Sequence, residues 1–294
     1  MLPRVLMPIQ FGSQNVQLYT YIAGLNPDCI AFGTYDPSKS TSAIRYPDIF
    51  VNEFGVGPRK GQIYSETAYV AGVPVMNVTL GYVPASSSDP SMCGIAWPHP
   101  GASFIGDAYD PWLETAMDYG AMYPSWFSIQ YRLGGVSTMS FGASIPEVPS
   151  PASWVTSDPD APGFWSLPGS IGGISSYLIV DPSASTIFGS TKDITAIIKS
   201  LGLEHSAFRD EDNLLSATYP CTRPPQLVVI IGTAKVPISK EVMTFGKDAQ
   251  GNCILPMRGS DDEKYLPSLG SPFLASLKSI VFDYEARAVS VIPL

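Results

Sequence analysis

Two turns, one in each half of the chain, hold the residues best placed for chemistry. In the second half the apolar run 177–180 leads to Asp181, which is followed by Ser183 and Ser185. A carboxyl group at the end of a buried strand can donate or remove a proton. In the first half a similar run leads to Ala23, whose side chain has no group for such chemistry. Asp181 could therefore do acid–base chemistry if it faces a cleft.

A weak internal repeat relates these two turns. The strand-to-turn segments are 21–24, Tyr-Ile-Ala-Gly, and 179–182, Ile-Val-Asp-Pro. Each is followed later by an element that contains a glycine, 93–96 in the first half and 268–271 in the second. A repeat of this length predicts two similar structural units.

The boundary between the two units is predicted from composition. The stretch Ser144–Gly173 is dense in proline, serine and glycine, which are typical of turns and linkers. We therefore place one lobe at residues 1–150 and the other at residues 151–294.

Strand signals dominate the rest of the chain. Only 15% of the residues are charged, and 28 prolines and 26 glycines interrupt the sequence, which is typical of many short strands joined by turns. The fold class is therefore expected to be mostly β, with a few short helices. The predicted strands are Val16–Ile22, Thr67–Leu80, Trp126–Leu133, Tyr177–Val180, Leu227–Ile231 and Ser279–Phe282; the predicted helices are Asp110–Tyr119, capped by Asp110, and Thr191–Leu201, capped by Thr191 and ended by Gly202.

Charge and hydropathy exclude several classes of partner. The formal net charge of −9 repels phosphate backbones, so we expect no nucleic acid partner. No run of 18 apolar residues is present, so we expect no membrane span. The first residues lack the apolar run of a signal peptide, which favours a cytoplasmic protein. The alternative is a secreted protein from which a leader has been removed. The expected oligomeric state is a monomer.

Cysteine and histidine are too few for a metal site. The four cysteines have no Cys-x-x-Cys spacing and do not suffice for a disulfide scaffold, so we expect buried or structural thiols. His99 lies on a turn and His205 follows a helix end, where both are expected to be scaffold or surface residues. No glycine-rich phosphate loop and no Ser-His-Asp pattern is evident, so no cofactor is predicted. Asn77 opens the glycosylation sequon Asn-Val-Thr.

The second half of the chain resembles the C-terminal lobe of the pepsin-like aspartic proteases. The segment 177–185 is similar to the second active-site turn of that family, and the segments 269–274 and 279–283 are similar to its C-terminal motif. Cys221 and Cys253 are separated as in the family's C-lobe disulfide, so the resemblance implies that these two cysteines could pair.

The first half resembles the N-terminal lobe of the same family in the same order. The matching segments are 9–13 for the opening strand, 35–41, and 50–57 for the flap. The segment 94–97, Gly-Ile-Ala-Trp, stands where the family has Gly-Ile-Leu-Gly. The resemblance implies a bilobal all-β fold with a cleft between the lobes, in which Trp97 is one candidate for the lining.

The first half also departs from the family's pattern at the residues that carry its chemistry. Counting from the opening glycine, Gly12, the first catalytic aspartate would fall at Ala23. The flap tyrosine would be Phe54, with Glu53 beside it as a second acid that could face the cleft. Aspartic proteolysis needs two close carboxylates that share a proton, so these departures imply a protein that does not cut peptides. The alternative is an unusual dyad in which Asp28 or Glu53 supplies the second carboxylate.

Aromatic side chains are the other clue to a ligand. Most members of such a set turn out to be core residues, so no single one is favoured. The candidates for the cleft are Tyr21, Phe32, Phe54, Trp97, Tyr109, Trp112 and Trp165.

Three functions are compatible with this sequence. In the first hypothesis the cleft binds a small apolar molecule. In that hypothesis the protein catalyses a cofactor-free cyclisation or isomerisation in specialised metabolism, by analogy with fungal pathways, with Asp181 as the acid or base. The second hypothesis is a non-catalytic binding protein or inhibitor, in which Asp181 only bonds its own turn; secretion, an oxidised pair of Cys221 and Cys253 and a glycosylated Asn77 would favour it. The third is a protease with the unusual dyad.

Overall fold

The structure is a computed structural model that describes most of the chain. The described residues are 6–14, 16–24, 26–32, 35–53, 58–84, 91–99, 103–134, 137–147, 149–150, 153–160 and 163–294. They form three sheets and three α-helices, which confirms the prediction of a mostly β fold.

The first sheet has seven strands and comes entirely from the first 94 residues. Its order is β1-β2-β7-β3-β6-β5-β4, and β1 also pairs with β5. The sheet mixes antiparallel neighbours with two parallel pairs, β2 with β7 and β3 with β6. The strands are β1 (Leu6–Phe11), β2 (Val16–Ala23), β3 (Cys29–Phe32), β4 (Ile44–Glu53), β5 (Pro58–Val70), β6 (Val73–Val83) and β7 (Met92–Gly94).

The second sheet takes strands from both sides of the predicted lobe boundary. Its five strands are antiparallel, in the order β10-β23-β22-β8-β9. Phe127 and Phe282 are paired residues on the neighbouring strands β8 and β22, and their rings stack with centroids 4.6 Å apart. The strands are β8 (Trp126–Gln130), β9 (Thr138–Phe141), β10 (Trp154–Thr156), β22 (Leu277–Asp283) and β23 (Ala288–Pro293).

The third sheet is built from the C-terminal half alone. Its path runs β17-β16-β11-β12-β21-β13-β20-β15-β19-β18, with β14 paired to β15. The strands are β11 (Ser166–Ile171), β12 (Ile174–Val180), β13 (Ile187–Ser190), β14 (Ala207–Arg209), β15 (Leu215–Tyr219), β16 (Val228–Ile231), β17 (Ala234–Pro237), β18 (Gly246–Lys247), β19 (Cys253–Ile254), β20 (Met257–Ser260) and β21 (Ser268–Leu269).

Five of the six predicted strands correspond to single strands, and the sixth was wrong. The range Thr67–Leu80 reads as one β-branched run, but the chain reverses at Ala71 and Gly72. Both turn residues have positive φ, 51° and 82°, as a tight hairpin turn requires. The run therefore forms the end of β5 and most of β6.

The helices are short, and the predicted capping residue was wrong in both. The helix α1 spans Trp112–Asp118 and follows Pro111, so Asp110 is not its cap. The helix α2 spans Thr191–Ser200, and its cap is Ser190 rather than Thr191, because the Ser190 hydroxyl accepts the Asp193 N–H at 3.1 Å. The predicted end of α2 at Gly202, which has φ +70°, is confirmed. A third helix, α3, spans Ser271–Leu274.

All four cysteines are in disulfide bonds, so the expectation of thiols was wrong. Cys221 is bonded to Cys253, as the family resemblance implied for these two residues. Cys29 is bonded to Cys93, a pair that the sequence did not suggest. This second bond joins directly opposite residues of β3 and β7, and so fixes the strand that follows the first turn.

One continuous apolar core runs through the molecule and joins elements of all three sheets. Its largest members include Trp97, Trp112 and Trp165, each almost fully buried. No helix among the described residues is long and apolar enough to cross a membrane.

Candidate functional site

The two repeated turns are held by the same strand arrangement. In the first sheet β2 runs parallel to β7, and Ala23 is paired with Gly94. In the third sheet β12 runs parallel to β21, and Val180 is paired with Leu269. The next residue, Asp181, continues this register, because its N–H donates to the Leu269 carbonyl at 3.1 Å.

A glycine stands at the equivalent point of both paired strands, and the turn crosses directly over it. A Cβ on Gly94 would lie 1.7 Å from the carbonyl oxygen of Asn26. A Cβ on Gly270, the residue after β21, would lie 2.4 Å from the carbonyl oxygens of Ala184 and Thr186. Any larger residue would collide with the turn at either place. By this register, Ala23 holds in the first turn the position that Asp181 holds in the second.

The two turns touch each other through Gly24 and Asp181. The backbone N–H of Gly24 donates to Oδ1 of Asp181 at 3.1 Å. A Cβ on Gly24 would lie 2.5 Å from the Val180 carbonyl oxygen and 2.8 Å from the Asp181 Cα. Glycine is therefore needed at position 24 for the turns to approach this closely.

The Asp181 carboxylate also organises its own turn. Its Oδ1 accepts the N–H of Ser183 at 2.9 Å and the hydroxyl of Ser183 at 2.6 Å. The first of these bonds is the local turn bond that aspartate commonly makes two residues on. Asp181 is 5% exposed, and Oδ1 receives every hydrogen bond that the described residues donate to this carboxylate.

A cavity of about 670 Å³ opens beside Asp181. Asp181 and Ser185 lie on one side, and two aromatic rings, Phe188 and Tyr265, meet edge to face on another with centroids 5.2 Å apart. Most of its wall is apolar, and polar groups come both from the Asp181 turn and from the segment 262–264. The remaining lining residues are Phe164, Ile179, Ala184, Thr186, Asp262, Lys264, Leu266 and Ser268.

The family model for eukaryotic aspartyl protease matches residues 9–294, nearly the whole chain. The chain belongs to the eukaryotic aspartyl protease family. No curated protein matches the chain. The family membership accounts for the mostly β fold and for the duplicated turns.

The flap position of the aspartyl protease family is only partly described in this member. Glu53 ends β4, where its backbone pairs with Pro58. Phe54 lies outside the described residues, as does the side chain of Glu53. The strands β4 and β5 that lead to this tip form an antiparallel hairpin with a bulge between Arg45 and Ile49.

The tryptophans expected near an aspartyl protease cleft serve the core instead. Trp97 is buried, packs edge to face on Trp165 with a centroid separation of 4.8 Å, and does not line the Asp181 cavity. The indole N–H groups of Trp112 and Trp165 donate to the carbonyls of Gly94 and Ile95, at 2.6 and 2.7 Å. These two bonds hold the segment over which the first turn crosses.

Two further aromatic candidates, Phe32 and Tyr109, do not line the cavity. Phe32 belongs to a small second core cluster, and the Tyr109 hydroxyl donates to Asp48 at 2.6 Å. The side chain of Tyr21 is not among those described. The rings that do line the cavity, Phe164, Phe188 and Tyr265, were missed. One feature of the sequence could have indicated Tyr265 as a site residue. The apolar pair Tyr-Leu ends a charged stretch, Asp-Asp-Glu-Lys-Tyr-Leu.

Asp28 is buried and binds a neighbouring loop of the same lobe. Its carboxylate accepts the Ser103 hydroxyl at 3.1 Å and the backbone N–H groups of Phe104 and Ile105. Desolvation by burial raises the pKa of Asp28 from 3.8 to about 6, against the opposing effect of these hydrogen bonds; the charge of Asp107 adds a smaller rise. The hydrogen bonds described for the Asp28 carboxylate are with this loop, and none is with Asp181.

The histidines have no described part in the Asp181 site. His205 is exposed, as expected, in a short helical turn, and His99 lines a separate cavity of about 160 Å³. Among the described residues no three His, Cys, Asp or Glu side chains are grouped so that they could hold a metal ion.

Proposed function

We propose that this member of the aspartyl protease family does not hydrolyse peptides. One observation carries the proposal: Ala23, which is paired with Gly94, holds in the first turn the position that Asp181 holds in the second. A methyl group there cannot share a proton with Asp181, which the two-carboxylate mechanism requires. The contacts of Asp28 with residues 103–105 argue against its use as a substitute.

We further propose that the cavity beside Asp181 binds a small apolar molecule. Its volume of about 670 Å³ falls in the range of small-molecule sites, roughly 300–1,000 Å³. Phe188, Tyr265 and Leu266 offer apolar contact area, whereas Asp181, Asp262 and Lys264 offer polar groups. This lining suits a ligand with an aromatic or aliphatic body that also carries hydrogen-bonding groups.

Binding without catalysis is the role that the geometry supports best. The two Ser183 donors commit Oδ1 to its own turn, and the Gly24 N–H commits it to the contact with the first turn. Two disulfides favour an oxidising compartment, and hence the secreted alternative over the cytoplasmic one. The protein would act there as a monomer, without nucleic acid or membrane partners.

Catalysis of a cyclisation or isomerisation is a second candidate, and one observation favours it. Asp181 lines the cavity, and its Oδ2 accepts no hydrogen bond from any described residue. A free carboxylate oxygen beside a bound ligand could remove a proton from it, and no cofactor would be needed.

The test is a capture experiment with small-molecule extracts from the native source. Purified wild-type protein is incubated with the extract, and bound and released molecules are identified by mass spectrometry. Binding predicts that a compound is retained unchanged by wild type and by Asp181→Asn. If wild type instead releases an isomer that Asp181→Asn does not form, the catalytic hypothesis is correct and the proposal of binding without catalysis is wrong. Retention of no compound above a denatured control would reject a small-molecule ligand.

A further inference from the structure

Asn77 lies on an exposed bulge of β6, and its side-chain amide donates a hydrogen bond to a tyrosine hydroxyl. Val75 pairs with Ala68 and Val78 pairs with Glu66, so Met76 and Asn77 together oppose one residue of β5. Such a bulge turns the extra residue out of the ladder. Asn77 has φ +58°, the left-handed conformation that asparagine tolerates better than most residues, and its side chain is exposed.

The side-chain amide of Asn77 contacts the residue that follows α1. Its Nδ2 donates to the Tyr119 hydroxyl at 2.6 Å. Tyr119 is 44% exposed, and Met76, next to Asn77, is 52% exposed. The amide therefore stands at the edge of a small apolar patch, which we define as Met76 and Tyr119.

We propose that Asn77 carries an N-linked glycan whose first sugar covers this patch. Asn77, Val78 and Thr79 form the acceptor sequon, and the bulge leaves the acceptor amide at the surface, where a bulky glycan can project. The two disulfides belong to the oxidising compartments in which such transfer takes place. The inference thus shares the proposed compartment but not the proposed ligand.

The transfer uses a lipid-linked oligosaccharide diphosphate as the glycosyl donor. The bond from Asn77 Nδ2 to the sugar C1 forms, and the bond from C1 to the phosphate oxygen breaks. The amide gives up one proton, and the lipid diphosphate leaves with the electron pair. Thr79 is buried in the folded sheet, so transfer precedes the completion of β6.

The folded geometry is compatible with the modified side chain. A primary amide has two N–H groups, and one remains after glycosylation. That remaining N–H can keep the bond to the Tyr119 hydroxyl, which would hold the first sugar near the Tyr119 ring. Sugar over this ring would remove apolar surface from water.

The first test is mass spectrometry of the Asn77 peptide from the protein purified from its native source, before and after peptide N-glycosidase. We expect a glycopeptide that the enzyme converts to an aspartate-containing peptide. An unmodified Asn77 in a protein with oxidised cysteines overturns this inference and leaves the compartment proposal standing. An unmodified Asn77 with reduced cysteines overturns both.

Matched variants test the site in the full chain directed through the secretory pathway of a eukaryotic host. Asn77→Gln and Thr79→Val should lose the glycan, whereas Thr79→Ser, which keeps the sequon, should retain it. Retention in Thr79→Val or loss in all three would contradict the assignment. Enzymatic removal of the glycan should raise the binding of an apolar dye to wild type, and Tyr119→Ser should lose that rise. An equal rise in both proteins would reject the covered patch.

Discussion

The backbone N–H of Gly24 donates to Oδ1 of Asp181 at 3.1 Å, across 157 positions of sequence. This bond joins the two repeated turns at the point where the family places its pair of carboxylates. Gly24 has no side chain to hold the turns apart, and Asp181 supplies the acceptor. The contact links the stability of the fold to the residue that the sequence marks as catalytic.

Gly24→Ala should destabilise the protein. The added methyl group would lie 2.5 Å from the Val180 carbonyl and 2.8 Å from the Asp181 Cα, and both neighbours are backbone atoms that cannot rotate away. Overpacking of this kind costs about 1–3 kcal/mol of unfolding free energy, measured by urea denaturation. Gly246→Ala is the control, because no atom lies within 4 Å of a Cβ there. Equal stability of both variants would argue against the close approach of the turns.

Asp181→Ala should destabilise the fold more than Asp181→Asn. Alanine leaves the N–H groups of Gly24 and Ser183 without their acceptor, at a cost of about 1–3 kcal/mol for an unsatisfied buried donor. Asparagine keeps a carbonyl oxygen in the same place. Thermal unfolding of the two variants compares them directly. If both match wild type, the carboxylate does not hold the turns together.

Asp28 should make the protein lose stability as the pH rises from about 4 to about 6. Burial raises the pKa of Asp28 from 3.8 to about 6, so in this window the folded state holds a proton that the unfolded state has released. Unfolding is therefore favoured as the pH rises, by up to about 3 kcal/mol. Burial also raises the pKa of Glu114, which adds a change in the same direction.

Urea denaturation at several pH values measures this dependence. Asp28→Asn should flatten it, leaving the contribution of Glu114. Asp160→Asn, at an exposed aspartate, should keep the wild-type dependence. A wild-type slope that persists in Asp28→Asn would show that other groups cause it.

The cavity beside Asp181 should lose affinity for its ligand when either of two aromatic side chains in its wall is truncated. Phe188 and Tyr265 form an edge-to-face pair on that wall. Loss of a well-packed ring typically costs about 1–2 kcal/mol of binding energy, which is roughly a tenfold weaker Kd. Titration calorimetry of Phe188→Ala and Tyr265→Ser measures it for the compound captured by wild type. Tyr177→Ser, at an exposed tyrosine outside the cavity, should bind like wild type.

Local pattern was sufficient to predict most strands and the two repeated turns. The apolar residues 178–180 and 280–282 were predicted within strands, and both sets are buried strand residues in the structure. The hairpin at Ala71 and Gly72 was missed because the β-branched run continues through the turn. The cap of α2 was misplaced by one residue because Ser190 and Thr191 can both cap a helix.

The site could be predicted only where its residues are close in sequence. Asp181, Ser183 and Ser185 were found together because one turn contains them. The Cys29–Cys93 bond spans 64 positions, and the cavity wall joins β13 to a loop near residue 265. Both depend on tertiary contacts that no local pattern encodes. The hydrogen bond from Gly24 to Asp181 was missed because its donor is a backbone N–H, a group that nearly every residue has and that the sequence therefore does not single out.

Proteolysis is the most direct test of the central claim. Wild type and Asp181→Asn are incubated with a denatured protein substrate from acid to neutral pH, with and without pepstatin, and cleavage is followed by mass spectrometry. We expect no pepstatin-sensitive cleavage by wild type above the level of Asp181→Asn, because Ala23 provides no second carboxylate. Cleavage that pepstatin inhibits and that Asp181→Asn abolishes would contradict the account and show that another acid completes the dyad.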